Sequence, residues 1–422
     1  MFSTQNGQGV SGRETGHSKS TVSRVRLPSH PLRWHNGVSS LPPGSRDSLV
    51  AVFLTVEINS EQNRLSPPTP LILKGESEGF SPFCDKITEM TSFWDNLPQP
   101  FFILAPMEAV TDVVFRHVVK QAGAPDVFFT EFANATGWVH AGDKAIAGRL
   151  VKTDDEHPLV AQIWGGEPGD MEQFAAHCIK LGFDGIDINM GCPAKSAIKS
   201  GGAALIRRPD VAVAAIAAAK TAGLPVSVKT RLGYTYVDEW REWLTTLLQQ
   251  DLANLTIHLR TKKEMSKVPA HYELIDDIIK LRDDIAPQTL LTINGDIRDR
   301  AHGEELFRAH PGLNGIMIGR GIFSDPFCFR RAVELSSVEE AEDRLAAHRK
   351  TELIALLHYH LDLFDHYQST LGRPYETLKR FFKIYIRDFD GAKELRDQLM
   401  HTKTTDEVRS ILAHNDRPHY TY

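Results

Sequence analysis

Eight short apolar runs recur between Phe101 and Gly321, each followed by a polar loop and then, in most cases, a helical pattern. They are Phe101–Met107, Val127–Phe132, Leu159–Gly165, Gly185–Gly191, Pro225–Arg231, Leu255–Arg260, Leu290–Asp296 and Gly315–Gly321. Each has strand length and is bounded by Gly, Pro or Asp. Their hydrophobicity is nearly continuous, which suits strands buried on both faces of a parallel sheet. Helical patterns at Met171–Leu181, Pro209–Ala222 and Asp238–Gln250 fall between them. Eight such units match an α/β fold of the (β/α)8 TIM-barrel type, which typically takes about 250 residues. A doubly wound open sheet is the alternative. No Gly-x-Gly-x-x-Gly follows the first run, which counts against it.

The chain has 422 residues, more than one barrel needs. The expected division is an extension over 1–90, a barrel over 95–335 and a C-terminal all-helical domain over 336–415. The helical part carries stripes such as Leu353, Leu356, Leu357, His360, Leu361 and Phe364. The extension is rich in Ser, Gly, Pro and Arg and lacks a helical period. It reads as a disordered tail, as an organelle transit segment, or as sequence upstream of an authentic start at Met90. Only four cysteines occur (Cys84, Cys178, Cys192 and Cys328), without the paired spacing of a disulfide framework or zinc site. A reducing, cytoplasmic setting and no metal follow as expectations. The early apolar run at 49–56 is far short of a membrane span, so no membrane partner is expected.

Barrel chemistry sits where strands end. Those ends carry Pro106, Met107 and Glu108 after the first run, Asn189 and Cys192 on the fourth, Lys229 and Arg231 on the fifth, and His258 and Arg260 on the sixth. Asn294, Gly295 and Asp296 close the seventh, Gly319 and Arg320 the eighth, and Gln162 lies in the third. Polar groups inside apolar strands are costly unless paired or used, and here they converge on one mouth. The last two ends offer backbone N–H groups and a guanidinium where many barrels hold a phosphate. Lys229 suits an anion, the N1–C2=O2 edge of a reduced flavin, or a Schiff base. Gln162 can donate to and accept from a flavin or uracil-like ring. The pair points to flavin mononucleotide more than to an aldol substrate. Cys192, on a Gly-Cys-Pro turn, suits a nucleophile or a proton donor.

Ala105-Pro106-Met107-Glu108-Ala109-Val110-Thr111-Asp112 with Phe115-Arg116 resembles the signature near the start of tRNA-dihydrouridine synthases. So do Ile188-Asn189-Met190-Gly191-Cys192-Pro193 with Gly201-Gly202-Ala203, Val228-Lys229-Thr230-Arg231-Leu232-Gly233, and Ile257-His258-Leu259-Arg260-Thr261. Asn294-Gly295-Asp296-Ile297 and Ile318-Gly319-Arg320-Gly321 complete the set, which is most similar to bacterial-type members and covers roughly 95–412. The resemblance implies an FMN enzyme that reduces a uridine of tRNA to 5,6-dihydrouridine with NADPH. It implies that Pro106, Met107, Glu108, Gln162, Lys229, His258, Asn294, Gly295, Asp296, Gly319 and Arg320 hold the cofactor. Asn189, Arg231 and Arg260 would address the substrate. Hydride would pass from flavin N5 to uracil C6, and Cys192 would protonate C5. Ala109 and Leu259 depart from the family, where Gly and a small residue are common.

A net charge of −6 gives no global field for RNA. Two local clusters supply one. Lys379, Arg380, Lys383 and Arg387 have helical spacing and are expected on one face, with Arg373 nearby. Lys262 and Lys263 sit beside the sixth strand end. These are the expected tRNA contacts of a monomeric enzyme. The rival readings are an FMN barrel acting on a small pyrimidine-like molecule, a Schiff-base lyase using Lys229, and a non-catalytic tRNA-binding or folding protein.

Overall fold

The computed structural model describes residues 92–331 and 341–415. The extension over 1–90 and the expected domain boundary at 335–336 lie outside these described residues. Nine strand segments form one parallel sheet. They are β1 (Phe101–Leu104), β2 (Phe128–Phe129), β3 (Ala133–Asn134), β4 (Leu159–Trp164), β5 (Gly185–Asn189), β6 (Val226–Arg231), β7 (Asn254–His258), β8 (Leu290–Asn294) and β9 (Gly315–Ile318). The order runs β1-β9-β8-β7-β6-β5-β4-β2, and a parallel bridge from Ile103 to Val127 returns to β1. The fold is a TIM barrel.

The second run divides into β2 and β3. Between them the Thr130 hydroxyl accepts from the Gln162 backbone N–H at 3.0 Å, a place where a strand carbonyl would otherwise serve. A side chain thus substitutes for one ladder bond, and the strand is interrupted.

The near-continuous apolar runs are explained by burial on both faces. On β1, Phe101 and Ile103 join an inner cluster with Val127, Phe129, Val160 and Met317. Phe102 and Leu104 join the outer cluster beneath the helices. The inside of the barrel is therefore apolar around β9, β1 and β2. It is polar around β4 to β8, where buried Gln162, Asp187, Ser227, Thr256 and Thr292 lie. Helices at Pro168–Lys180, Pro209–Lys220 and Trp240–Leu248 occupy the three stretches expected to be helical. No described helix is long and apolar enough to cross a membrane.

The C-terminal part is helical, led by Ala341–Leu371 and ending with Ala392–Met400 and Thr405–Asn415. The expected stripe from Leu353 to Phe364 is buried. Burial drives the His360 imidazole down to about 3, so it is neutral, and its Nδ1 lies 2.6 Å from the Tyr385 hydroxyl. Phe381 and His360 both pack on Phe115 of the helix Val113–Gly123, at ring distances of 5.0 and 6.2 Å.

One expectation here is corrected. Lys379, Arg380, Lys383 and Arg387 do not share a regular helical face. The chain is a 3-10 helix over Tyr375–Phe381, a single α turn over Phe382–Tyr385, and then leaves helical geometry at Ile386. Leu378, Phe381, Phe382, Ile384, Tyr385 and Ile386 are all buried. Six apolar side chains in nine positions exceed one α-helical stripe, and a tighter, broken path buries them all.

Candidate active site

Because all the barrel strands are parallel, their C-terminal ends open on one mouth, where a cavity of about 810 Å3 lies. Pro106, Met107, Glu108, Asn189, Cys192, Lys229, Arg231, His258, Asn294, Gly295, Asp296, Gly319 and Arg320 all line it. Six strand ends, those of β1 and of β5 to β9, thus bring together thirteen residues that were singled out from the sequence alone.

Lys229 is the central charge. Its Nζ donates to Asn294 Oδ1 at 3.2 Å, and Asn294 is itself fixed by donating to the Met317 carbonyl at 2.8 Å. Burial lowers its pKa to about 8, helped by repulsion from Arg231 and opposed by Asp187. An ammonium has three donors, and one protein acceptor at this distance leaves it well suited to an electron-rich ligand edge.

Beneath Lys229 runs a buried polar chain that sequence reasoning missed. Asp187 accepts from Ser227 Oγ and from Gln162 Nε2, both at 2.7 Å. Gln162 Oε1 accepts from Asn189 Nδ2 at 2.9 Å. Asn189 Oδ1 in turn accepts from the backbone N–H of Gly191 at 3.1 Å and Cys192 at 2.9 Å. Burial pushes Asp187 up to about 6, against its hydrogen bonds and Lys229. The chain orients Asn189 and pins the turn that carries Cys192. Its signal was present: Asp187 and Ser227 stand two residues before Asn189 and Lys229, on the same strand face. Gln162 is fully buried and absent from the cavity lining. Its amide bonds to Asp187 and Asn189 in this chain.

Cys192 lines the cavity half-buried. Desolvation holds its thiol above the usual 9.0, with Arg231 and Lys229 opposing and Glu108 adding. It therefore carries its proton at neutral pH, which suits a proton donor better than a thiolate nucleophile. Gly202 next to it has φ 56, and a Cβ there would come within 2.9 Å of the Cys192 carbonyl. Glycine is required for this loop to fold back on the thiol.

Arg231 ties the Cys192 turn to the next loop. Its Nε donates to the Gly191 carbonyl at 2.8 Å, and its Nη1 donates to the carbonyls of Thr261 and Met265 at 3.2 and 3.0 Å. Burial brings it down to about 10, so it stays charged. Burial also holds His258 well below 6.5, aided by Arg231, Lys229 and Arg260, so it is neutral. Arg260 Nη1 lies 3.1 Å from His258 Nε2. A guanidinium only donates, so Nε2 accepts and Nδ1 carries the ring proton.

Arg260 does not line the cavity. It is 2% exposed, pairs with Asp296, and donates to the Val268 carbonyl at 2.6 Å. It positions Asp296, which also pairs with Arg320 at 3.1 Å. Asp296 and Gly295 both have positive φ, 54 and 125. At Gly295 a Cβ would stand 3.1 Å from the His258 ring, so the backbone there approaches the cavity more closely than a larger residue would allow. Glu108 pairs with Arg149 at the cavity edge. Leu259 is fully buried and does not line the cavity. Ala109 has φ 57, a region where an L-residue costs about 1–2 kcal/mol. The glycine that the resemblance leads one to expect here would avoid that cost.

The basic residues of the helical part divide by role. Lys379, Arg380 and Lys383 line a groove of about 710 Å3 together with Lys393 and Arg396, two cations not singled out from the sequence. Arg380 also donates to the Ala109 carbonyl at 3.1 Å, so the groove borders the mouth. Arg387 donates to the Ser324 carbonyl and pairs with Asp388 at 2.6 Å. Arg373 pairs with Glu131, a fully buried carboxylate, and lies 3.6 Å from Asp112. Desolvation raises Glu131 to about 7 despite Arg373. Arg373 and Arg387 are thus engaged in joining the helical part to the barrel. Lys262 and Lys263 lie on the loop after β7, outside the cavity.

The chain is similar to several known proteins. A protein 57% identical over 328 residues, covering 77% of this chain and 97% of its own, is "Probable tRNA-dihydrouridine synthase 2" of Bacillus subtilis strain 168. Another, 54% identical over 323 residues, covering 76% of this chain and 94% of its own, is "Probable tRNA-dihydrouridine synthase" of Staphylococcus aureus strain Mu50. Among solved structures, morphinone reductase in complex with tetrahydroNAD aligns at 13% identity with a TM-score of 0.38, over 55% of this chain and 86% of that one. Residues 103–417 match the family model described as "Dihydrouridine synthase (Dus)", and the chain belongs to the dihydrouridine synthase family.

Proposed function

We propose that this chain binds FMN in the barrel mouth and uses NADPH to reduce a uridine of tRNA to 5,6-dihydrouridine. The observation that carries the reading is Lys229, a buried ammonium with one protein acceptor, in the same cavity as a protonated thiol at Cys192. The donor set fits a flavin. The cavity volume lies within the ~300–1,000 Å3 range of ligand and cofactor pockets. Lys229 would face the pyrimidine edge, where negative charge gathers on reduction. Asn294, the close-approaching backbone at Gly295 and the Gly319-Arg320 end would take the ribityl and phosphate. Pro106, Met107, Glu108 and neutral His258 would border the ring.

When bound, the flavin supplies a hydride to uracil C6. This chain's residues do the rest. Asn189, held by Gln162 and by the Cys192 turn, and Arg231 address the uracil ring. Negative charge develops along C5–C4–O4, and Cys192 Sγ–H delivers the proton to C5. The uridine leaves its stack to reach this depth. The groove, where Lys379, Arg380, Lys383, Lys393 and Arg396 outnumber Glu394 and Asp397, supplies local positive charge for phosphates on a protein whose net charge is −6.

Flavin binding provides the test. The purified wild-type protein is expected to take up FMN stoichiometrically, read by the visible flavin spectrum. Lys229→Met is expected to raise the FMN Kd about 10- to 150-fold, the value of a charge-assisted hydrogen bond. A wild-type protein that does not bind FMN contradicts the reading.

A further inference from the structure

The loops after β6 and β7 form a rim beside the cavity. Backbone bonds lace the two loops together: Lys262 N–H to the Gly233 carbonyl at 2.8 Å and Lys263 N–H to the Tyr234 carbonyl at 2.9 Å. The Glu239 carboxylate accepts from the backbone N–H groups of Tyr234, Thr235 and Tyr236 at 2.6, 3.2 and 3.0 Å. Arg231, at the cavity, holds the far loop through Thr261 and Met265, and Ser266 of that loop lines the cavity. The rim is therefore fixed and continuous with the active site.

On this frame stand exposed apolar surface and cations together. Among the described residues only six large hydrophobic side chains are exposed, and three are here: Tyr236 at 65%, Met265 at 45% and Val268 at 37%. Lys263 Nζ lies 5.6 Å from the Tyr236 ring centre. Beside it, Arg207 and Lys262 sit over the Tyr234 ring at 3.9 and 4.8 Å. An exposed aromatic ring with one cation beside it, next to a second ring that carries two more, is a combination that holds unpaired nucleotides: bases stack on the exposed ring while the cations meet phosphates. The cations also favour RNA over an apolar protein partner.

We infer that this rim is a second RNA contact, in which Tyr236 stacks a base neighbouring the extruded uridine and Arg207, Lys262 and Lys263 take the adjoining phosphates. This rests on the proposed function and adds to the groove of the helical part, which lies on elements that pack against the β1 and β9 ends. The RNA would thus be gripped on both sides of the mouth.

The test measures the Kd of full-length protein for an unmodified tRNA transcript, together with the KM for that transcript. Tyr236→Ala is expected to weaken binding roughly 5- to 150-fold, the range for removing one stacking face. Tyr236→Phe, which keeps the ring, should stay near wild type. FMN content and the rate of flavin reduction by NADPH without tRNA should be unchanged in both. Equal Kd values for wild type and Tyr236→Ala overturn the inference. If the wild type binds tRNA but forms no dihydrouridine, the functional reading fails, and the Kd comparison still decides the role of Tyr236.

Discussion

Cys192→Ala is expected to keep FMN and its reduction by NADPH while losing about 10²- to 10⁴-fold in dihydrouridine formation, the usual contribution of a placed general acid. The geometry gives the reason for each half. The thiol is held above its ordinary pKa by burial, so it carries a proton at neutral pH. Its backbone anchors the turn through Asn189 Oδ1 at 2.9 Å, and the sulfur adds one backbone hydrogen bond from Ala194. Removing the side chain therefore leaves the turn, the Asn189–Gln162–Asp187 chain and the Lys229 site in place. Cys192→Ser should fall between, because a hydroxyl is a far weaker acid than a thiol. Single-turnover reoxidation of the reduced flavin by tRNA separates this step from binding. Wild-type turnover in Cys192→Ala contradicts the proton-donor role.

Arg116→Met is expected to destabilise the protein by about 3–5 kcal/mol, the cost of leaving one member of a buried ion pair without the other. Arg116 and Glu156 have side-chain exposures of 0% and 3%. The guanidinium donates to both Glu156 oxygens at 2.6 and 3.0 Å, to the Thr111 carbonyl at 3.0 Å and to the Val151 carbonyl at 2.8 Å. Thr111 Oγ1 accepts from the Met107 N–H at 3.0 Å, so the same residue anchors the turn that borders the cavity. Denaturant titration reads the loss. Glu156→Gln, which keeps a hydrogen-bond acceptor, should cost less. A midpoint unchanged in Arg116→Met contradicts this role.

The barrel was legible because its strands are buried twice. Phe101 and Ile103 face the interior while Phe102 and Leu104 face the helices, which leaves an apolar run with no alternation to mistake for a one-sided sheet. The mouth was legible because polar residues recur at strand ends, where the parallel topology makes them meet. The layer below was harder to see. Asp187 and Ser227 lie mid-strand, and nothing in the order of residues says that a carboxylate from β5 meets an amide from β4 and a hydroxyl from β6. Gln162, expected at the ligand, also belongs to this buried chain. Arg260 was expected at the substrate from the resemblance. In the fold the strand ends at His258, and Arg260 turns inward to Asp296. The basic face at 379–387 failed as a helix because local charge spacing carries no information about how six apolar neighbours will be buried. Three of its cations nevertheless reach one groove, joined by Lys393 and Arg396 from the following helix.

We propose a tRNA-dihydrouridine synthase centred on Lys229 and Cys192. Its most direct measurement incubates the purified full-length protein, loaded with FMN, with NADPH and tRNA isolated from cells lacking dihydrouridine. The tRNA is then digested to nucleosides and analysed by mass spectrometry. The account predicts that one uridine gains two hydrogens to become 5,6-dihydrouridine, dependent on both FMN and NADPH. FMN-loaded protein that binds this tRNA and leaves every uridine unreduced contradicts it.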